Sequence, residues 1–210
     1  MFGKYKITLD NDTKASNEGE IRFNPLVWAR YDTRMVVCVT WGLVVLILLT
    51  IFSSTDYLIM LIAAIILNFF YWVGSMEHFS VDSNGGIIVS VNPPLAAVMT
   101  NLAKYDGNYP VIKIIDYKVK REISIGDRIG TVATYKQGKN ERLPHWDDFS
   151  PIPIEYCTND QVSIDIEMNF YTEQQWEDTE RGIQKIEKPF KVALYRFDLE
   201  QSDWKRGVEA

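Results

Sequence analysis

Two long stretches without a charged residue constrain this chain more than any other feature. The first runs from Met35 to Thr55 and the second from Tyr57 to Met76, with only Asp56 between them. Each stretch has about 20 residues, and a helix of that length spans roughly 30 Å, the thickness of a bilayer's hydrocarbon core. An apolar helix can also be buried in a globular protein, but two in immediate succession are typical of a membrane protein. The sequence therefore predicts two transmembrane helices.

So few residues join the two stretches that their helices must run antiparallel, as a hairpin. Asp56 is placed to cap the second helix, because a carboxylate accepts hydrogen bonds from free N–H groups and suits the positive end of the helix dipole. The connection carries no Lys or Arg, whereas the segment before the first span carries Arg22, Arg30 and Arg34. By the positive-inside rule, we expect both termini to lie in the cytoplasm.

Aromatic and basic side chains flank the two stretches, where lipid headgroups would lie, and the rings would form an aromatic belt. The predicted membrane-interface residues are Trp28, Arg30, Tyr31, Arg34, Tyr71 and Trp72. Within the spans, Thr40, Thr50 and Asn68 are expected to serve polar packing in the hairpin or against a partner protein. No charged side chain lies at membrane depth, which argues against an ion or proton path formed by this chain alone.

The pattern divides the chain into three parts. Residues 1–34 form a cytoplasmic segment with an interfacial helix beginning at Asn24-Pro25, residues 35–76 form the hairpin, and residues 77–210 form a cytoplasmic domain. A short strand, Tyr5–Leu9, is also expected in the first part. The net charge of −6, from 22 basic and 28 acidic residues, disfavours a nucleic-acid binder. With 2 cysteines, the chain is not a disulfide-rich secreted scaffold.

The third part begins with several runs that have the composition of β-strands. The predicted strands are residues 87–91, 95–102, 111–119, 128–135 and 192–197. Asn84-Gly85-Gly86 is expected to form the turn before the first strand, and Gly126-Asp127 the corner that leads into the fourth. A glycine corner of this kind is common in small β-barrels.

Two helices are predicted between the fourth and the last strand. The first, capped by Thr158-Asn159-Asp160, carries its apolar positions at Val162, Ile166 and Phe170. The second runs from Thr172 to Ile186 and begins with a capping-box pattern. The expected fold class is a membrane α-helical hairpin plus an α+β cytoplasmic domain, in which a small β-barrel-like sheet is followed by two helices.

The densest candidate for chemistry is the run His145-Trp146-Asp147-Asp148-Phe149. His145, Asp147 and Asp148 are residue types that bind metal ions. However, adjacent side chains on a regular element point in opposite directions, and no second histidine lies nearby in the sequence. A loop anchored by Trp146 and Phe149 is the simpler interpretation, so we expect neither a metal ion nor another cofactor.

The remaining candidates for chemistry are weaker. Cys157 and His145 could form a nucleophile and its base, but no oxyanion-hole motif accompanies them. Cys38 lies inside the first span and behaves as a small apolar residue. The glycines form none of the phosphate-binding patterns. A short basic run consists of Lys118, Lys120 and Arg121. The simplest interpretation of this run is a solvated strand face, and the alternative is a contact with lipid headgroups or nucleic acid.

Several phrases of the third part occur together in one known family. They are IIVSVNPPLAAVMTNL, YPVIKII, IGDRIGTVATY, HWDDFSPIPIEYCT and GIQKIEKPFKVALYRF. In content and order they resemble an uncharacterised bacterial family defined only as a domain of unknown function, over about residues 87–197. The matching positions are Pro110, Lys113, Gly126, Asp127, Thr131, Tyr135, His145, Trp146, Asp148, Phe149, Pro151, Trp176, Gly182, Pro189 and Tyr195. The chain departs from the family pattern at Asn101 and at Phe190-Lys191-Val192.

The resemblance implies a common β-rich fold for this part and structural roles for the matching residues. It implies no activity, because none is assigned to the family. It also implies a bacterial source, so the expected membrane is the inner membrane. The hairpin lies outside the resemblance.

We expect a non-enzymatic inner-membrane protein whose hairpin anchors a cytoplasmic domain. The domain is rich in aromatic residues that suit a partner surface, so it would act as an accessory, assembly or scaffold subunit among other membrane-protein subunits. Two alternatives stay open. One is a membrane-tethered hydrolase or metal-dependent enzyme that uses His145, Asp147 and Asp148, and the other is a homo-oligomer whose spans pack into a ring.

Overall fold

The computed structural model describes residues 21–52, 57–79, 82–104, 107–118, 121–138 and 142–197. The expected strand Tyr5–Leu9 and the expected helix cap Asp56 lie outside the described residues. Within the described part of the chain, three helices are followed by five strands, two further helices and a last strand.

The first helix, α1 (Pro25–Tyr31), begins where the sequence predicts. The side-chain oxygen of Asn24 accepts hydrogen bonds from the N–H groups of Leu26 (3.0 Å) and Val27 (3.4 Å), and the proline at the first position has no N–H to satisfy. The helix does not continue into the first span, because the backbone leaves the helical conformation at Asp32. The break makes α1 a separate element that can pack independently of the span.

The two apolar stretches form the helices α2 (Thr33–Phe52) and α3 (Leu58–His78), which pack against each other. Partly buried positions recur every three or four residues, as a helix–helix contact requires; in α2 they are 36, 39, 43, 46 and 50. The other apolar side chains face outward, and Trp41 is 63% and Phe69 62% exposed. Both helices are long and apolar enough to cross a membrane, and neither is buried in the domain. The predicted hairpin is therefore present and has the surface of a membrane protein.

The strands form a single antiparallel sheet among the described residues. Their bounds are Asp82–Val91 for β1, Pro94–Asn101 for β2, Pro110–Asp116 for β3, Arg128–Lys136 for β4, Asp148–Pro153 for β5 and Ala193–Arg196 for β6. The order across the sheet is β5-β4-β1-β2-β3-β6, so β5 and β6 are the two edges. The sequence analysis did not predict β5, which begins inside the run expected to be a loop.

The sheet is curled into half a barrel, so that its edge strand β5 approaches strands on the far side. The N–H of Trp146, before β5, donates to the carbonyl of Leu102 (2.8 Å), just beyond β2. The N–H of Lys104 donates to the carbonyl of Pro144 (2.9 Å) in the same place. Two strands, β4 and β1, separate β5 from β2 in the sheet order, so only a strongly curled sheet permits these bonds. The small β-barrel-like sheet predicted from the sequence is confirmed.

A lysine fastens the curl at a second point. The ammonium group of Lys113, in β3, lies 2.8 and 2.9 Å from the carboxylate oxygens of Asp148 and 2.6 Å from the carbonyl oxygen of Phe149. The Lys113 and Asp148 side chains are only 19% and 35% exposed, and Phe149 is fully buried beside them. These charge-assisted bonds join β5 to β3, and they explain why the three residues occur together in the family phrases.

The glycines of the sequence have two different roles. Asn84-Gly85-Gly86 is not the predicted turn but lies inside β1. A Cβ on Gly85 would lie 2.9 Å from the ring of Trp176, so the glycine is there to admit the indole rather than to reverse the chain. Gly126 does form the predicted corner, with a positive φ of 96°.

The helix α4 (Gln161–Asn169) forms as predicted, but its apolar positions are not its buried positions. Val162, Ile166 and Phe170 are 65%, 48% and 46% exposed. The fully buried side chains of this helix are instead Ser163 and Glu167. Glu167 accepts a hydrogen bond from Ser83 in β1, so the polar side of α4 faces the sheet and its apolar side is exposed.

The helix α5 (Glu173–Gln184) lies on the sheet and begins with the predicted capping box, in which Thr172 and Gln175 satisfy each other's backbone N–H groups. A Cβ on Gly182 would lie 2.5 Å from Ile112, so glycine allows the close approach of α5 to β3.

Replacing Lys113 by Met should lower the free energy of unfolding of the full chain by about 1–2 kcal/mol, because it removes the bonds that tie β5 to β3. Met keeps an apolar stem beside Phe149. Urea unfolding in detergent, followed by tryptophan fluorescence, measures the change. Arg121→Met, which breaks the surface ion pairs with Asp127 and Glu155, is the matched control and should have a smaller effect. Equal losses in the two variants would show that Lys113 does not fasten the sheet.

Candidate functional site

The structure does not bring the three candidate metal ligands together as a metal site. Both oxygens of Asp148 are engaged by Lys113, and Nδ1 of His145 lies 2.8 Å from the carbonyl oxygen of Trp146. Asp147 contributes its backbone N–H and carbonyl to neighbouring segments. Among the described residues, no group of three His, Cys, Asp or Glu side chains could hold a metal ion. The run from His145 to Phe149 is anchored, as expected, by the buried side chains of Trp146 and Phe149.

The thiol of Cys157 is placed as a structural group. It is fully buried and donates a hydrogen bond to the carbonyl of Ile154 (3.3 Å). Burial raises the pKa of this thiol far above its ordinary value, so it stays protonated. A neutral thiol is a poor nucleophile, which removes the physical basis for a Cys157–His145 pair.

One face of α1 docks on the half-barrel domain. Its chain enters with the N–H of Asn24 donating to the carbonyl of Cys157 (2.7 Å). Tyr31 stacks on Tyr156, with ring centroids 3.9 Å apart, and the ammonium group of Lys118 donates to the Tyr31 carbonyl (2.6 Å). The N–H of Lys118 also donates to the Tyr156 hydroxyl (2.6 Å). Burial raises the pKa of Tyr31 to about 12, so its phenol stays neutral.

Next to this contact, α1 also docks on the hairpin, because Trp28 lies about one helical turn from Tyr31 on the same side of the helix. The indole N–H of Trp28 donates to the hydroxyl of Tyr71 in α3 (3.0 Å), and that hydroxyl donates to the carboxylate of Asp32 (2.9 Å). The Trp28 ring also packs edge-on against Phe79, with centroids 5.4 Å apart. We call the contact of α1 with both partners the junction; its central residues are Trp28, Tyr31, Asp32, Tyr71, Lys118 and Tyr156.

The junction changes the roles expected for the flanking aromatic residues. Trp28 and Tyr31 are 9% and 8% exposed, so their rings are turned into the protein instead of towards lipid headgroups. Both rings find aromatic partners in the domain, which bury them more completely than an interface would. The side chains that stay at least partly exposed are Arg30, Arg34, Tyr71 and Trp72. A membrane-interface role for these four stays a prediction.

The polar residues of the spans have three different environments. The side-chain amide of Asn68 donates to the carbonyl of Val39 on the neighbouring helix (3.1 Å). The hydroxyl of Thr50 donates within its own helix to Leu46 (2.8 Å), and Thr40 is exposed. Asn68 therefore joins the two helices of the hairpin in this structure.

A buried polar network that the sequence analysis missed lies at the start of β1. The hydroxyl of Tyr135 is hydrogen-bonded to the Asp82 carboxylate and lies 2.8 Å from the hydroxyl of Thr100. Thr131, fully buried, donates to the carbonyl of Asn84 (2.8 Å). Burial raises the pKa of Tyr135 well above its ordinary value, with the nearby Asp82 charge as a further cause. The network gives Tyr135 and Thr131, two of the family positions, a physical role in joining β1, β2 and β4.

Glu167 extends this network from α4. It is 1% exposed, and one carboxylate oxygen accepts a hydrogen bond from Ser83 (2.7 Å), while the other has no hydrogen-bond partner among the described residues. Burial raises the pKa of this carboxyl above its usual range. In the sequence, the only signal for this arrangement is that Ser163 and Glu167 share one side of the helix, about a quarter-turn from its apolar side. A cavity of about 300 Å³ adjoins the network.

Two further family positions, Asp127 and Pro189, lie in turns. The carboxylate of Asp127 accepts the N–H of Ser124 (2.9 Å) and so closes the corner at Gly126. Pro189 follows α5 with a cis peptide bond from Lys188. These positions have structural roles.

Replacing Glu167 by Gln should flatten the dependence of stability on pH. Because burial raises the carboxyl pKa, the folded chain holds this proton more tightly than the unfolded chain, so the free energy of unfolding falls as pH rises above about 4.5 towards 7. Gln removes this loss and keeps an acceptor for Ser83. Thermal unfolding of the full chain across this pH range measures the slope. The exposed Glu177→Gln variant should follow the wild-type curve, and identical slopes in all three proteins would contradict the assignment.

A family model described as a protein of unknown function, DUF3239, matches residues 77–187. The crystal structure of a presumed membrane protein from Corynebacterium diphtheriae is similar, with a TM-score of 0.49, 21% sequence identity and coverage of 55% of this chain and 100% of that chain. Among curated proteins, none matches. The matched segment contains most of the curled sheet with both helices packed on it and makes up more than half of the chain, so the protein belongs to the DUF3239 family.

Proposed function

We propose that this protein is a non-enzymatic accessory or assembly subunit of a larger complex in the bacterial inner membrane. The hairpin is its anchor, and the half-barrel domain carries the surface that binds the partner subunit. The observation that carries the proposal is the apolar outer face of α4, formed by Val162, Ile166 and Phe170, on a domain held next to a membrane hairpin.

The outer face of α4 has the properties of an interaction surface. Single exposed apolar residues are ordinary, but three on one side of a nine-residue helix form a patch that a soluble surface usually avoids. The helix cannot roll to bury them without pulling Glu167 away from Ser83 and exposing the polar network. The apolar side is therefore left for another molecule, and a partner protein offers the complementary apolar surface.

The junction supports the same proposal. A subunit that organises a complex must present its docking surface in a defined orientation to the membrane. α1 supplies this, because two neighbouring residues on one side of the helix bind the hairpin through Trp28 and the domain through Tyr31. Neither contact requires a catalytic group.

The proposal places both termini in the cytoplasm. Arg30 and Arg34 are exposed where the chain enters α2, at the domain end of the hairpin, as the positive-inside rule requires of a cytoplasmic side. A C-terminal epitope tag should therefore be protected from protease in intact bacterial spheroplasts and digested in inverted membrane vesicles. Digestion in intact spheroplasts would place the domain on the other side of the membrane.

Replacing Ile166 by Glu should release this protein from its complex without unfolding it, because a charge at the centre of the patch must be desolvated in the interface. Native electrophoresis of membranes solubilised in a gentle detergent, with tagged full-length chain, measures the complex. We expect a band much larger than the monomer for the wild-type chain and its loss in the variant.

Ile125→Glu is the matched control, since Ile125 is 69% exposed on the same domain but away from α4. This variant should retain the complex. A wild-type chain that always migrates as a monomer would contradict the proposal, and a complex made only of copies of this chain would favour the homo-oligomeric alternative.

A further inference from the structure

The cavity beside the polar network has a rigid aromatic wall. It opens between the start of β1, the end of β2 and α5, and its wall includes Tyr171, Trp176 and Met99. Trp176 is 3% exposed, packs over Gly85 and lies under the guanidinium group of Arg128, 4.8 Å from the ring centroid. Because the indole is held on both sides, the cavity is a formed part of the fold.

Two carboxylates line the cavity from different elements. Asp82, in β1, is 7% exposed and is oriented by the hydroxyl of Tyr135. The side chain of Asp178, in α5, is 12% exposed, and its Oδ1 atom is engaged by Arg181, which is not among the lining residues. The hydroxyl of Thr100, 2.8 Å from that of Tyr135, adds a further polar group. These side chains are held in place by the protein before any ligand arrives.

A further polar residue of the cavity wall, Tyr171, has a hydroxyl without a hydrogen bond of normal geometry to the described residues. Tyr171 is 8% exposed, and its hydroxyl lies near Ser83 and the backbone of Thr131. A buried hydroxyl without a partner costs free energy, so native proteins rarely retain one away from a functional site. A ligand that donates to this oxygen would remove the cost.

The charge of the lining selects the class of ligand. The lining residues include Asp82 and Asp178 but no Lys, Arg or His, so an anion is repelled and an ammonium group is attracted. The volume of about 300 Å³ is at the small end of ligand sites. We propose that this cavity binds a small primary amine, with its ammonium group at Asp82, Asp178 and Tyr171 and its carbon skeleton against Trp176.

Calorimetric titration of the full chain in detergent tests the proposal, with ethanolamine and putrescine as probes and with glycerol and acetate as neutral and anionic comparisons. We expect saturable binding of at least one amine with one site per chain, and no binding of glycerol or acetate. Tryptophan fluorescence, compared between the wild-type chain and a Trp176→Phe variant, provides a second readout, because the chain has 6 tryptophans. Absence of amine binding, or equally tight binding of glycerol, would overturn the proposal.

Variants locate the binding. Asp178→Asn should weaken amine binding about tenfold or more, because the interaction with a charged partner is lost. Thr179→Met, which fills the cavity from α5, should abolish it, while thermal unfolding confirms that both variants are folded. Asp165→Asn, an exposed acid on α4, is the matched control and should bind as the wild type does. Undiminished binding in both cavity variants would overturn the proposal.

Discussion

The bond between Lys113 and Asp148 is the interaction on which the arrangement of this protein depends. It joins two strands that are not neighbours in the sheet, so it exists only when the sheet is curled. By fixing β5, it also fixes the turn Ile154–Tyr156 that follows directly, and this turn carries the tyrosine on which α1 stacks. The position of the domain relative to the hairpin thus follows from a charged pair inside the half-barrel.

The junction fixes the position of the domain relative to the hairpin, and so relative to the membrane. Within one turn of α1, Trp28 is hydrogen-bonded to Tyr71 of the hairpin and Tyr31 is stacked on Tyr156. Aromatic packing combined with a few directed hydrogen bonds gives a specific contact. The outer face of α4 is therefore presented in one orientation, which a subunit that assembles others requires.

The features predictable from the sequence are those that depend on local chemistry. The absence of charge over two helix lengths predicts the spans, Thr172 and Gln175 predict the start of α5, and Gly126 predicts a corner. The features that escaped prediction depend on distant partners. The periodicity of α4 predicts a helix, but Glu167 points inward because it accepts a hydrogen bond from Ser83, which lies 84 residues earlier in the chain. Likewise, Trp28 is a residue typical of a membrane interface, but in the structure its ring packs against Phe79 and its indole N–H donates to Tyr71.

The candidate site was still harder to predict, because its parts are polar residues scattered over β1, β2 and α5.

The central claim, a half-barrel held rigidly to a membrane hairpin by α1, can be measured directly by double electron–electron resonance. Spin labels replace the exposed side chains of Trp41 in the hairpin and Ile125 in the domain, with Cys38 changed to Ala and buried Cys157 retained. In lipid nanodiscs, the structure predicts one narrow distance distribution, and a broad or multimodal distribution would contradict it.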